Sequence, residues 1–486
     1  MKLLALLLPS ASLAFAASLP TVGPNFVRPN VASPETYRDV PVGVPGDWKT
    51  GEPADALARG EWWKLFGDDV LSALETEALA ANQDLHAAAA RVEQARAAAG
   101  LARANYWPQF AVNGSVTRER ASGTTDNVLP DTLTTTYRAP LVASWELDLF
   151  GRVRRLTESA RAEAGASEAT FESVRLSLTA EVAAGYFSLR ALEQELAIVQ
   201  ETIALRRRAF DLVTARLRSG TAADLDAARA ENELASTEVE ASVLASRRAT
   251  VQNALAVLVG RPASGFEIAG SANRALGQVA VPVIPAGLPS DLLERRPDIA
   301  AAERSLAGAN ARIGVAKAAF FPAISLTGGA GYASGDIDRL FQADSRAWSI
   351  GPSLYLPIFQ GGRNRANLAR SRAAYEEAVA VFRQRVLVAF REVQDALTAI
   401  HYLSEQSGAQ ERALSSAQRA TVLAQRRYDA GYVSYLEVID AQRTALSNQR
   451  ASVQLTAQRL NTSIALIKAL GGGWSSATAG TRVASR

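Results

Sequence analysis

The stretch LTAEVAAGYFSLRALEQELAIVQETIALRRRAFDLVTARLRSG, residues 178–220, decides how this chain is read. Leu178, Val182, Gly185, Leu189, Leu192, Leu196, Val199, Ile203, Phe210, Val213 and Leu217 recur at alternating steps of four and three, and only Arg206 interrupts them. Apolar residues at that spacing line the seam of a coiled-coil helix. The seam lies within residues 141–261, which contain no proline although the chain has 19. Residues 358–486 form a second proline-free stretch. There Tyr375, Val379, Phe382, Val386, Ala389, Val393, Ala396 and Ile400 repeat the pattern, and Leu446, Val453, Leu460 and Ile467 mark every seventh position of a return helix. In each stretch one glycine, Gly220 or Gly431, separates a very long helix from a second long one. A run of about 65 residues rising 1.5 Å per residue makes a rod about 100 Å long. Ordinary globular helices have about three turns, so the pattern predicts an elongated object.

Composition removes several classes of function. The 52 basic and 49 acidic residues nearly cancel to +3 and are interspersed, so no nucleic-acid partner is expected. There is no cysteine, and the two histidines, His86 and His401, lie on alanine-rich helical patterns without ligand spacing. Thiol catalysis, disulfides, metal clusters and a Ser-His-Asp site therefore lack support. The expectation is a protein that is not an enzyme and uses no cofactor. Residues 1–16, MKLLALLLPSASLAFA, read as a secretory signal, with Lys2, an apolar run, and Ala14 and Ala16 before the cleavage point. No later segment has eighteen uninterrupted apolar residues, so a mature chain that enters a membrane must do so as strands.

Such strands are present. After a helix from about Asp69 to Asn105, stopped by Pro108, Phe110, Val112, Gly114 and Val116 alternate with Asn113, Ser115 and Thr117. Leu141, Ala143, Trp145, Leu147 and Leu149 alternate with Ser144, Glu146 and Asp148. The same arrangement returns in Ile324, Leu326, Ala330 and Tyr332, and again in Trp348, Ile350, Leu354 and Leu356. That is a period-two hairpin, twice. Trp107, Trp145, Phe320, Phe321 and Trp348 stand near strand ends, where outer-membrane strands carry interface aromatics. Pro352 falls inside the fourth strand and predicts a bulge or bend.

The two halves align on Tyr-Trp-Pro 106–108 with Phe-Phe-Pro 320–322, Leu-Phe-Gly 149–151 with Ile-Phe-Gln-Gly 358–361, and Gly220 with Gly431. One unit is therefore expected twice: helix, hairpin, long helix, glycine, long helix. The resulting division is a signal at 1–16, an extended proline-rich strap at 17–66, and a first repeat at 67–262 with its hairpin at 109–150. A linker at 263–288, a second repeat at 289–474 with its hairpin at 323–358, and a tail at 475–486 complete it. Four strands cannot close a barrel, and open edges are costly in lipid. Two chains would give eight strands with a filled interior, whereas three give twelve and leave room for a pore.

At this point the chain resembles the TolC-type outer-membrane efflux channels, in particular the subgroup that partners resistance-nodulation-division pumps. The resemblance is carried by VGPNFVRP at 22–29, GLPSDLLERRPDI at 287–299, PIFQGGR at 357–363 and GYVSYLEVIDAQR at 431–443. It implies a mainly α protein with membrane β: a homotrimer whose 12-stranded barrel, four strands per chain, continues into a long periplasmic α-helical coiled-coil barrel. It implies a location in the bacterial outer membrane and export of drugs or other small toxic compounds with a periplasmic adaptor and an inner-membrane pump. It also implies that Gly220 and Gly431 are hairpin tips that meet the adaptor, and that Glu437 and Asp440, with Asp226 at the equivalent first-tip position, form a periplasmic gate. Val433 stands where the family carries a basic partner for that gate. The subgroup usually ends its signal at a lipidated cysteine, and here Ala16, Ala17 and Ser18 stand instead. A periplasmic coiled-coil adaptor or scaffold without a pore is the alternative, although an adaptor normally has one long hairpin rather than two. The Glu-Arg-Arg-Pro-Asp run at 294–298 reads as a helix start fixed by Pro297.

Overall fold

The computed structural model describes residues 21–34, 36–38, 60–122, 133–268, 276–279, 282 and 295–472. The signal segment, the C-terminal tail and parts of the strap and linker lie outside the described residues. Among the described residues there are seven α-helices: α1 (Asp69–Ala81), α2 (Gln83–Ala104), α3 (Arg152–Arg218), α4 (Asp224–Leu258), α5 (Pro297–Ala318), α6 (Arg363–Asp429) and α7 (Tyr435–Ala469). The strands are β1 (Gln109–Val112), β2 (Ser115–Arg120), β3 (Leu133–Leu147), β4 (Ala323–Ser334) and β5 (Arg346–Tyr355). Both α3 and α6 have 67 residues, and both α4 and α7 have 35. No helix among the described residues is long and apolar enough to cross a membrane.

The expected helix over 69–105 is two helices. Asn82 leaves the helical region at φ −66°, ψ 125°. Its side chain explains the break: Oδ1 accepts from the Leu85 amide at 2.9 Å, capping α2, while Nδ2 donates to the Leu258 carbonyl at the end of α4.

The chain forms two compact units. The first contains Met1–Asn30, Arg91–Glu168 and Ala301–Arg383. Its sheet is antiparallel, with β3 paired to β1 and β2 on one side and to β4 on the other, and β5 outside β4. Five strands thus fill the four expected positions, because the first is interrupted. Asn113 lies opposite Pro140 in the unbroken register and donates to its carbonyl at 3.1 Å, but Pro140 has no N–H to return the bond. The ladder opens there, beside Gly114. The bulge expected at Pro352 is absent: register holds from Ala323↔Tyr355 to Tyr332↔Arg346, with Pro352 opposite Leu326. Within the chain β5 is an edge strand, where a missing donor is tolerated.

Directly opposed residues share a face. One face therefore carries Phe110, Ala143, Gly328 and Ile350 in one row, Val112, Leu141, Ala330 and Trp348 in the next, and Leu147, Ile324 and Leu354 in a third. The other carries Gln109, Ser144 and Thr327, then Glu146, Ser325 and Ser353. The apolar face is solvent-exposed at Phe110, Val112, Trp348, Ile350 and Leu354.

Part of the strap docks on this unit as extended backbone. Val22 donates to the Phe150 carbonyl, Asn310 Nδ2 donates to the Pro24 carbonyl, and Arg155 reaches Asn25 Oδ1 at 2.7 Å. Gly23 lies on Gly314, where a Cβ would meet the Gly314 Cα at 2.5 Å. The Val-Gly-Pro-Asn motif is thus a packing motif.

The second unit contains Val31–Ala90, Ala169–Ala300 and Gln384–Arg486. Trp62, Trp63 and Phe66 form a short 3₁₀ turn that packs on Phe187, with the Phe66 and Phe187 ring centroids 5.0 Å apart. Tyr186, Val182, Leu189, Leu255, Leu460 and Ile467 complete much of this core. Tyr186 donates to Asp68 Oδ2 at 2.9 Å, while Asp68 Oδ1 caps α1 through the Val70 and Leu71 amides. Close approach of α3 and α4 depends on Gly185, whose Cβ would lie 2.9 Å from Leu255 Cδ2.

Candidate functional site

The two helix-to-helix turns have the same geometry. Gly220 has φ +73°; its amide donates to Leu217 O at 3.0 Å and the Thr221 amide to Arg216 O at 2.9 Å. Gly431 has φ +75°, with the Gly431 amide on Tyr428 O at 2.9 Å and the Tyr432 amide on Arg427 O at 2.9 Å. These are paired Schellman bonds, which require a left-handed residue and so favour glycine. Val213, Ala230, Tyr435, Val438 and Ile439 pack into one buried cluster beside the turns. Arg216 donates to the Tyr428 hydroxyl at 3.2 Å. Burial first, then Tyr428, pushes the Tyr435 hydroxyl above the usual tyrosine range, and Asp226 adds a smaller electrostatic contribution.

Two of the three expected gate residues, Asp226 and Glu437, stand in the first turn of a helix. Asp226 is in the first turn of α4 and lies 3.7 Å from Arg229. Glu437, in the first turn of α7, and Asp440 are both exposed, three residues apart and so on one helical face. Acids there also complement the positive helix terminus. A basic residue does face Glu437, but from α6: Arg427 Nη1 is 3.9 Å from Oε2. Both side chains are exposed, and such pairs contribute about 0–1 kcal/mol.

A stronger charged group lies next to them, and only Arg206 hinted at it. Arg206 interrupts the apolar seam because it reaches Glu233 on α4 at 2.9 Å, with both side chains buried. It also donates to the Thr237 hydroxyl and the Glu233 carbonyl. Burial pushes the Arg206 guanidinium below its ordinary range, and Glu233 opposes that shift. Glu233 accepts in addition from Arg443 on α7. Further along, Arg450 of α7 joins Glu195 at 3.2 Å and Glu240 at 3.0 Å. A cleft of about 560 Å³ opens over this group, lined by Arg206, Glu233, Thr237, Glu240, Arg443 and Arg450 among others. No periodicity argument finds such a network, since most of its members lie on solvent-like positions of their own helices.

The Arg-Arg-Pro-Asp run does start a helix, α5, but it also forms an ionic site around the buried Arg296. Arg296 holds Asp298 and Glu392, each at 2.7 Å, and donates to the Ala469 carbonyl at the end of α7. Glu75 on α1 is fully buried, and among the described residues neither of its oxygens has a hydrogen-bond partner. Burial raises its pKa to about 9, so it is a neutral acid at pH 7. His86 and His401 are exposed helix residues; His86 Nε2 lies 3.1 Å from the Ala80 carbonyl.

The expected interface aromatics fall into two rows on the first unit. Trp107, Phe320, Phe321 and Trp145 stand at the helix end of the sheet, where Trp145 donates to Tyr106 O at 3.0 Å and Phe321 stacks on Phe150 at 4.9 Å. Trp348 stands toward the loop end, near Tyr332, which meets Phe341 edge-on at 5.4 Å. Trp348 lies in the row of Leu141, four residues along β3 from Trp145, which is about 13 Å at the rise of a strand.

A two-faced sheet with exposed apolar side chains, carried on very long helices, defines an outer-membrane channel. The model of the outer membrane efflux protein family matches residues 74–261 and 288–472. The chain belongs to that family and is an efflux channel of the outer membrane. It is 36% identical over 457 residues to the toluene efflux pump outer membrane protein TtgI of Pseudomonas putida, covering 90% of this chain and 94% of that one. To the cation efflux system protein CusC of Escherichia coli O6:H1 it is 35% identical over 455 residues, covering 93% and 96%. Its fold is similar to the outer-membrane channel OprN, with TM-score 0.84, 31% identity and coverage of 94% and 100%. The Neisseria gonorrhoeae MtrE channel, in an open state, gives TM-score 0.79 at 31% identity over 93% and 98% of the two chains. These relatives are channels rather than enzymes, and the alternative of an adaptor without a pore is not supported.

Proposed function

We propose that three copies of this chain share one twelve-stranded barrel and form the exit duct of a tripartite efflux pump. The observation that carries this is the sheet. Its four positions end in β1–β2 on one side and β5 on the other, with no further strand paired to either among the described residues. Backbone groups left unpaired at a lipid-facing edge cost several kcal/mol each, and pairing β5 of one copy with β1–β2 of the next removes both edges. The apolar face then meets lipid and the polar face lines water, as in an outer-membrane barrel.

The matching helix lengths, 67 and 35 residues in each half, support a duplication with repeats at 67–262 and 289–474. The turns at Gly220 and Gly431 form the periplasmic tips and meet an adaptor that links the duct to a resistance-nodulation-division pump. Glu437 and Asp440, with Asp226, ring the mouth; three copies of the α7 pair bring together six carboxylates, which attract cations. The cargo is small toxic compounds selected elsewhere in the pump. Nearly equal identity to a toluene pump protein and a cation system protein argues that the duct walls do not choose.

Reconstituted in planar bilayers, the full chain is expected to insert as a trimer with discrete conductance steps. A monomer that stays soluble without detergent overturns the proposal.

A further inference from the structure

Four junctions join helix and strand at one end of the sheet, and they fall into two kinds. At the β3–α3 corner the cations are neutralised: Arg152 pairs with Glu146 at 2.6 Å and Arg154 with Asp148 at 3.1 Å. Phe150 there is covered by Phe321. The other three junctions contain no acid at all: residues 94–118, 304–335 and 345–375 lack both aspartate and glutamate. Each of the three sets an exposed aromatic ring within three to six residues of an exposed cation. Arg103 precedes Trp107, Lys317 precedes Phe320, and Phe359 precedes Arg363 and Arg365. The corner after β5 is the most open. Leu354, Leu356 and Ile358 continue the apolar alternation past the strand, and Ile358 and Phe359 are 95% and 88% exposed.

We propose that these three junctions form a collar that binds the phosphate groups of anionic phospholipids in the leaflet nearest the helices. This rests on the barrel reading above. The rings and Ile358 enter the acyl margin, continuous with the apolar face, while Arg103, Lys317, Arg363 and Arg365 stand on the helix side of them. Cations immediately outside an apolar span recognise anionic headgroups, and without a carboxylate in these segments the charge is left for an external anion. A second copy of the chain is the weaker occupant, because it brings the same cations to the contact.

The test is native mass spectrometry of the detergent-solubilised full chain titrated with phosphatidylglycerol or phosphatidylcholine. Wild type is expected to bind phosphatidylglycerol more tightly, with a preference that falls on the order of fivefold per cation removed. The R103Q/K317Q/R363Q/R365Q variant should lose the preference while keeping its bilayer conductance. Inorganic phosphate should not compete. The chain has no cysteine, so Phe359→Cys can carry a single bimane label, quenched by brominated phosphatidylglycerol in proteoliposomes. Equal binding of both lipids, a preference that survives in the quadruple variant, competition by phosphate, or a label shielded from lipid by a neighbouring copy would each overturn the collar. Trimeric conductance persisting in those cases would leave the duct intact, whereas its absence in wild type would instead remove the duct.

Discussion

The two halves of the chain meet the same backbone demands with different side chains. Where α4 ends, Gly260 lies against Ala81, and a Cβ there would be 2.4 Å from the Ala81 carbonyl oxygen. Where α7 ends, Gly471 lies against the Arg295 carbonyl at the same 2.4 Å. The adjoining carbonyls are capped by Asn82 in the first half and by Arg296 in the second. Midway along, Glu233 pairs with Arg443 and Glu240 with Arg450, each across a sequence separation of 210. That is close to the 211 between Gly220 and Gly431, so related positions carry opposite charges and attract. Glycine is held in both halves at these two helix ends, where backbone touches backbone; side chains that reach into a cleft are free to diverge.

The largest expected effect tests the glycines. Gly260→Ala and Gly471→Ala combine a left-handed φ with a carbonyl clash, and each should lower stability by about 3 kcal/mol or more. Gly220→Ala and Gly431→Ala have open space around them, so each should cost only about 1–2 kcal/mol for the left-handed backbone. Thermal unfolding of the four variants in detergent ranks them; equal losses at all four would dissolve the distinction between a turn and a close approach.

Next in size is Glu75, a charge-poor position of the first half. Its folded pKa of about 9 exceeds the ordinary 4.5, so the folded state holds the proton longer than the unfolded state. Its contribution is whole below pH 4.5 and is lost as pH rises through 9. Glu75→Gln should therefore raise stability at pH 7 by about 2–3 kcal/mol and change it little near pH 4. A gain independent of pH would show that packing, not ionisation, governs the site.

The smallest effect separates the two tips. Neutralising Glu437 and Asp440 together should reduce the cation preference of the conducting trimer, whereas Asp226→Asn alone should do so less, since one carboxylate per copy is removed instead of two. Reversal potentials in a salt gradient measure both. Unchanged selectivity in the double variant would take these residues out of the gate.

Long helices, turn glycines and strand alternation were legible because each is a local rule repeated many times. The seam from Leu178 to Leu217 fixed a helix, and the alternation around Trp145 fixed a strand, without reference to any partner. Breaks were harder to see. Asn82 interrupts a run of good helix formers because Leu258, far away in sequence, offers it a carbonyl. Pro140 splits its neighbouring strand rather than its own. The candidate gate residues came from family likeness, whereas the buried Glu233 network was visible only as one arginine in the wrong place.

The sequence by itself determined the helix lengths, the turns and the two faces of the sheet, because periodicity and backbone freedom act within a few residues. Only the tertiary structure decided which glycines are indispensable, how Arg206 is accommodated, and that Glu75 is a neutral acid. Those properties depend on what is brought alongside from hundreds of residues away, and on whether water is excluded when it arrives.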